Sequence, residues 1–116
     1  MNYSQDNLTQ QQVADLLFGT LPDAQNLVAS MTHTSMILAV YDRTRTSYPA
    51  FQFDTQSQTL NPIARLVNMN LHAAAHSKAA MQFWNEPSAA LSGKTPLQAL
   101  QDGSLTYALA ERITKM

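Results

Sequence analysis

Two histidines are the first residues whose type and spacing could support chemistry. His72 and His76 are four positions apart, so on a helix both imidazoles would lie on one face and could reach the same metal ion. A metal site needs a third ligand, and no nearby carboxylate has a suitable spacing. We therefore expect ordinary histidines on the polar face of an alanine-rich segment, and neither a metal nor another cofactor.

The segment Thr32-His33-Thr34-Ser35 places hydroxyl groups beside an imidazole. Nucleophilic catalysis needs a base that a third group orients, together with an oxyanion hole. The sequence indicates neither, so a capping or turn role is the better interpretation. The chain has only three glycines and no glycine-rich loop that could cradle a phosphate. We expect no enzymatic activity.

Composition narrows the class of protein. The chain has 116 residues, enough for one domain or two small lobes, and 45% of them are hydrophobic. It contains no cysteine, which excludes disulfides, thiolate zinc sites and cysteine nucleophiles. No apolar run approaches the roughly 18 residues of a membrane span, and the first residues lack a signal-peptide pattern. We expect a soluble, cytoplasmic protein with no membrane partner.

Charge is distributed unevenly along the chain. Residues 1–42 carry a charge of −4 and contain no lysine or arginine, whereas residues 43–116 carry +3. Lysine and arginine supply most of the non-specific affinity for nucleic acid, so the first segment alone is poorly suited to bind a phosphate backbone. Arg43 and Arg45 lie on a predicted hairpin tip that could touch DNA, although such arginines are more typically just solvated.

Local signals in the first half predict two helices and a hairpin. Thr9-Gln10-Gln11-Gln12 is a capping box that begins the first helix, and Gly19 ends it. The second helix is expected to begin near Pro22. A short β-prone run predicts a strand over 37–41, and a second strand is predicted over 48–53, with Phe51 and Phe53 on one side. Two helices followed by a hairpin resemble a small winged helix-turn-helix lobe.

The second half is predicted to be helical after a polar connection. Four helices are expected, with caps at Asn61, Ser77, Thr95 and Ser104. The predicted fold class is therefore mainly α. A helix-turn-helix-like lobe with a short β-hairpin is assigned to residues 1–54, and an all-helical lobe to residues 60–116.

The most distinctive stretch runs from residue 83 to residue 100. Its simplest interpretation is a helix end with Trp84 in the core, a loop anchored by Leu91, and a helix that a capping box begins at Thr95. A loop fixed on both sides in this way is also a rigid platform. Partner contacts concentrate on platforms of this kind.

Residues along this stretch resemble the toxin-binding domain of the Xre/MbcA/ParS antitoxins. The matching positions are Trp84, Pro87, Ala90-Leu91, Gly93-Lys94-Thr95-Pro96-Leu97, Leu100 and Gly103. Tyr48-Pro49-Ala50-Phe51-Gln52-Phe53-Asp54 is similar to a second marker of the family, an aromatic-Pro-x-aromatic-Gln-Phe-Asp strand. The segment from Thr9 to Leu17 is similar to the opening helix of the preceding lobe. The resemblance covers about residues 8–113.

The resemblance implies a type II antitoxin. Such a protein binds a cognate toxin with an Arg-Glu-Ser (RES) domain, which resembles ADP-ribosyltransferases and consumes NAD or modifies a cellular target. The helical domain self-associates as a homodimer or higher homo-oligomer and occludes the NAD site of the toxin. The toxin-facing residues that the resemblance implies are Trp84, Pro87, Leu91, Gly93, Lys94, Thr95, Pro96, Tyr107, Glu111, Arg112 and Lys115.

Many members of this family also bind their own promoter through the helix-turn-helix lobe. Here the segment that corresponds to the recognition helix contains no arginine or lysine, so base contacts would fall to Gln25, Asn26 and His33. Two alternatives to the antitoxin therefore stay open. One is a DNA-binding transcriptional regulator, and the other is an orphan helical oligomerisation module that has no toxin.

Overall fold

The computed structural model describes residues 7–42 and 45–114, and within these residues the chain is mainly helical. The helices are α1 (Gln10–Phe18), α2 (Ala24–His33), α3 (Pro62–Asn70), α4 (Ser77–Trp84), α5 (Pro96–Asp102) and α6 (Tyr107–Thr114). The strands are β1 (Val40–Asp42), β2 (Arg45–Ser47), β3 (Phe53–Asp54) and β4 (Thr59–Leu60). Strands β1 and β2 form one antiparallel pair, and β3 and β4 form another. None of the described helices is both long and apolar enough to cross a bilayer.

The helix caps predicted at Thr9, Asn61 and Thr95 are confirmed. The Thr9 hydroxyl accepts from the backbone N–H of Gln12 at 3.1 Å, and the Gln12 side chain accepts from the backbone N–H of Thr9 at 2.8 Å. The carboxamide of Asn61 accepts from two backbone N–H groups at the start of α3. Each cap satisfies backbone donors that have no partner inside the helix.

Two predicted helix caps are wrong. α4 begins at Ser77, so His76, and not Ser77, holds the cap position. The cap of α6 is Thr106 rather than Ser104, because the Thr106 hydroxyl accepts from the backbone N–H of Leu109 at 3.2 Å. The backbone N–H of Ser104 is bound to a carboxylate oxygen of Asp102 at 2.8 Å, which places Ser104 in the turn after α5.

The predicted strand over residues 48–53 is wrong in its centre. Tyr48 makes a single bridge with Leu8, residues Ala50–Gln52 form a 3-10 turn, and only Phe53 continues into β3. The Gln52 side chain exchanges two hydrogen bonds with the backbone of Leu38, at 2.9 and 2.8 Å. A buried side chain thereby satisfies backbone groups of Leu38 that a neighbouring strand would otherwise pair. In the expected polar connection, residues 55–58 form the turn of the β3–β4 hairpin.

Buried apolar side chains form two clusters. The N-terminal core consists of Val13, Ala14, Ala24, Val28, Ile37, Ala39, Tyr48 and Phe53. The helical core consists of Leu38, Ala64, Val67, Ala73, Ala80, Trp84, Leu91, Leu97, Ala99, Leu105 and Ala110. Ile37 and Ala39 belong to the N-terminal core, and Leu38 belongs to the helical core. This alternation is expected because successive side chains of an extended segment point to opposite sides. The lobe boundaries of the sequence analysis stay a prediction.

Candidate partner-binding surface

Trp84 lies at the centre of the helical core and not at the surface. Its exposed fraction is 0%, and its indole packs against the ring of Phe51 with centroids 4.9 Å apart. The indole N–H donates to Asn68 Oδ1 at 3.2 Å, and Asn68 Nδ2 donates to Gln52 Oε1 at 3.0 Å. Trp84 therefore supports the predicted binding stretch from the inside.

The loop that follows α4 is closed by its own backbone hydrogen bonds. Ser88 N–H donates to the carbonyl of Lys94 at 3.0 Å, and Gly93 N–H donates back to the carbonyl of Ser88 at 2.9 Å. Leu91, with an exposed fraction of 6%, anchors the loop in the helical core. Pro96 is also buried, at the first position of α5. The loop is consequently held at its centre and at its end.

Four of the predicted toxin-facing residues of this stretch are at least partly accessible to solvent. Pro87, Gly93 and Lys94 are exposed, and Thr95 is half-buried because its hydroxyl caps α5. Gly93 has φ +86°, a left-handed conformation that favours glycine. Among the predicted contact residues of this stretch, Trp84, Leu91 and Pro96 are buried and support it from within. The other four form its accessible side. We name residues 87–95 the ridge loop.

An ion pair fixes the end of the ridge loop to α5. Lys94 Nζ lies 2.7 Å from Asp102 Oδ2, and both side chains are nearly half exposed. The hydrogen bond from Lys94, supported by bonds from Ser104, lowers the pKa of Asp102 from 3.8 to about 2. Because the pair is solvated, it orients the loop more than it stabilises the fold.

Helix α6 presents a second set of predicted contact residues. Tyr107, Glu111 and Arg112 are exposed, whereas Ala110 and Thr114 face α3 and are buried. Asn70 at the end of α3 donates to the Thr114 hydroxyl at 2.9 Å. This contact holds the two helices side by side. Lys115 lies outside the described residues.

A groove between α3 and α6 was not anticipated from the sequence. It is lined by Pro62, Arg65, Leu66, Met69, Asn70 and Tyr107 and has a volume of about 300 Å³. The α3 members follow helical spacing, which is the signal that could have identified one face of the helix. Nothing in the sequence placed Tyr107 beside them. We name this feature the α3–α6 groove.

The residues predicted to contact DNA do not form a described cationic surface. Gln25 and Asn26 are exposed on α2, and the Gln25 carboxamide donates to the side chain of Gln11. Arg45 is exposed on β2, whereas Arg43 lies outside the described residues. An open groove of about 420 Å³ separates α2 from the hairpin, and no described lysine or arginine lines it. Promoter binding stays a prediction.

The two histidines do not share a helix, and the hydroxyls of Thr34 and Ser35 bond to backbone groups. His72 follows α3 in a left-handed turn with φ +55°, so it is not on a common helix with His76. Across residues 7–42 and 45–114, no three histidine or acidic side chains lie close enough to hold a metal ion. The Thr34 hydroxyl donates to backbone carbonyls at the end of α2, and the Ser35 hydroxyl accepts from Ala74 N–H at 3.0 Å.

No family model, curated protein or solved structure matches the chain. The features that bear on its function are the ridge loop, α6 and the α3–α6 groove. They combine a closed loop, exposed aromatic and apolar side chains and two arginines, Arg65 and Arg112. Such an arrangement is suited to binding another protein.

Proposed function

We propose that this chain is a type II antitoxin that binds a cognate RES-domain toxin and occludes its NAD site. The motif resemblance suggests the partner, and the ridge loop supports the mode of action. The loop is closed between Ser88 and Lys94 and anchored by the buried Leu91, so its exposed residues are held in place before a partner arrives. A surface that is ordered in advance loses less conformational entropy on binding.

The proposed mechanism is steric occlusion. The antitoxin performs no chemistry of its own, and its helical surface denies NAD entry to the toxin. Arg112 is exposed in the last turn of α6, where a guanidinium group could lie over a cleft built for an anionic dinucleotide. A side chain of this length in that position would block the space that the dinucleotide needs.

Co-expression tests the proposal directly. The neighbouring reading frame should encode a RES-domain protein that arrests growth when expressed alone, and co-expression of the native chain should restore growth. Arg112→Glu should weaken the rescue, since it reverses the charge of an exposed side chain in the proposed contact, and a charge of the wrong sign at an interface lowers affinity. Lys78→Glu is the matched control, because Lys78 is an exposed cation on α4 and outside the proposed surface. Arrest that the native chain does not relieve would contradict the proposal.

A further inference from the structure

The α3–α6 groove concentrates exposed apolar surface in one place. Among the described residues five large hydrophobic side chains are exposed, and two of them line this groove: Met69 at 40% and Tyr107 at 54%. Leu66 also lines the groove and is half-buried against the helical core. Single exposed apolar residues are common on proteins, but neighbouring ones that line one concave site indicate an interaction surface.

The groove carries one positive charge and no negative charge among its described lining residues. Among the described residues that line it, Arg65 is the only charged one, and it is exposed. Among the described side chains the one ion pair joins Lys94 to Asp102, so Arg65 has no carboxylate partner there. An exposed guanidinium beside an apolar floor is complementary to an apolar side chain followed by an Asp or Glu.

Helix geometry indicates the shape of what binds. Arg65, Leu66 and Met69 are spaced i, i+1 and i+4 along α3, and Tyr107 stands opposite at the start of α6. A channel between two packed helices accommodates a third amphipathic helix through its apolar face. Methionine and tyrosine suit this contact, because one adapts its shape and the other adds a rigid aromatic surface.

We propose that the α3–α6 groove receives an amphipathic helix of the toxin that carries an apolar side chain next to a carboxylate. This inference rests on the proposed function and adds to it a docking site separate from the ridge loop. The carboxylate pairs with Arg65, and the apolar side chain packs between Met69 and Tyr107. The groove positions the antitoxin, while the ridge loop and the end of α6 cover the NAD site.

Matched variants test the groove by calorimetric titration with the RES-domain protein from the neighbouring reading frame. Tyr107→Ala and Arg65→Glu should each raise the dissociation constant about tenfold or more, as expected when an interface anchor is removed. Tyr41→Ala and Lys78→Glu are the controls. Tyr41 is 58% exposed, Lys78 is an exposed helical cation, and neither lines the groove. Urea midpoints of all four variants should show that each remains folded.

The outcomes separate the two proposals. If the native chain does not bind the toxin, both proposals are overturned. If it binds and the groove variants bind as tightly as their controls, only the groove inference is overturned. If Tyr107→Ala disperses a homo-oligomer and leaves toxin affinity unchanged, the groove covers a second copy and the inference is wrong. Recovery of Arg65→Glu binding by an acid-to-arginine change in the toxin would identify the paired carboxylate.

Discussion

Trp84 and Asn68 are both fully buried, and the indole N–H of Trp84 donates to Asn68 Oδ1 at 3.2 Å. The same asparagine donates to Gln52 Oε1, which also accepts from the backbone N–H of Leu38. The chain of hydrogen bonds joins α4, α3, the 3-10 turn and the segment between the two cores. Every described buried side-chain nitrogen and oxygen has a partner. Such networks favour one packing arrangement over its alternatives.

Asn68→Leu should destabilise the protein strongly. It leaves the buried indole N–H of Trp84 without an acceptor, and an unsatisfied buried donor together with the lost bonds costs about 2 kcal/mol or more. The measurement is the free energy of unfolding in urea. Asn26→Leu, on the exposed face of α2, should change the same quantity by less than about 0.5 kcal/mol. Equal losses in both variants would show that the network contributes no special stability.

Leu91→Ala should loosen the ridge loop and the fold together. Leu91 is 6% exposed in the helical core, and truncation of such a side chain costs about 2–4 kcal/mol. Leu27→Ala is the control, because Leu27 is 39% exposed on α2 and should lose less than about 1 kcal/mol. Thermal unfolding measures both. A Leu91→Ala protein as stable as the control would refute the anchoring role.

Thr95→Ala should remove the cap of α5. The Thr95 hydroxyl accepts from Gln98 N–H at 3.1 Å, and the Gln98 side chain accepts from Thr95 N–H at 3.0 Å. Loss of such a cap costs about 1 kcal/mol. Thr95→Ser keeps a hydroxyl at this position and should retain most of the stability in urea. If the two substitutions lower the unfolding free energy equally, the hydroxyl is not what stabilises the helix start.

Asp102 should titrate with a pKa of about 2 in the folded protein, below its ordinary 3.8. Since the folded pKa is the lower one, the contribution to stability is complete above about pH 5 and disappears as the pH falls through the folded pKa. Lys94→Gln removes the largest cause and should raise the pKa of Asp102 toward 3.8, while the Ser104 bonds keep it somewhat lower. Carboxyl NMR titration measures the shift. An unchanged pKa would show that the ion pair does not persist in solution.

Most of the predictions that the structure confirms rest on short sequence patterns at the ends of helices. The caps at Thr9, Asn61 and Thr95 and the helix end at Gly19 depend on a few neighbouring residues, so their chemistry can be recognised in one short window. Gly19 has φ +60°, a positive value that glycine adopts readily. These elements form because their backbone donors are satisfied nearby.

Features that depend on distant contacts could not be predicted. The polar side chain of Gln52 is fully buried, where it bonds to the backbone of Leu38, fourteen positions earlier in the chain. The segment around Gln52, predicted as a strand, forms a 3-10 turn instead. The α3–α6 groove depends on the packing of two helices about forty residues apart. The same limit explains why three of the predicted toxin-facing residues, Trp84, Leu91 and Pro96, are buried. A sequence motif marks the positions that match a family, but it does not show which of them face solvent.

Toxin inhibition in a purified system tests the central claim most directly. The measurement is the rate of NAD consumption by the proposed RES-domain toxin as this chain is added. We predict that the rate falls in proportion to the chain added and reaches its minimum at a fixed stoichiometry, because each toxin site is covered by binding. A rate unchanged by a large excess of folded chain would contradict the account.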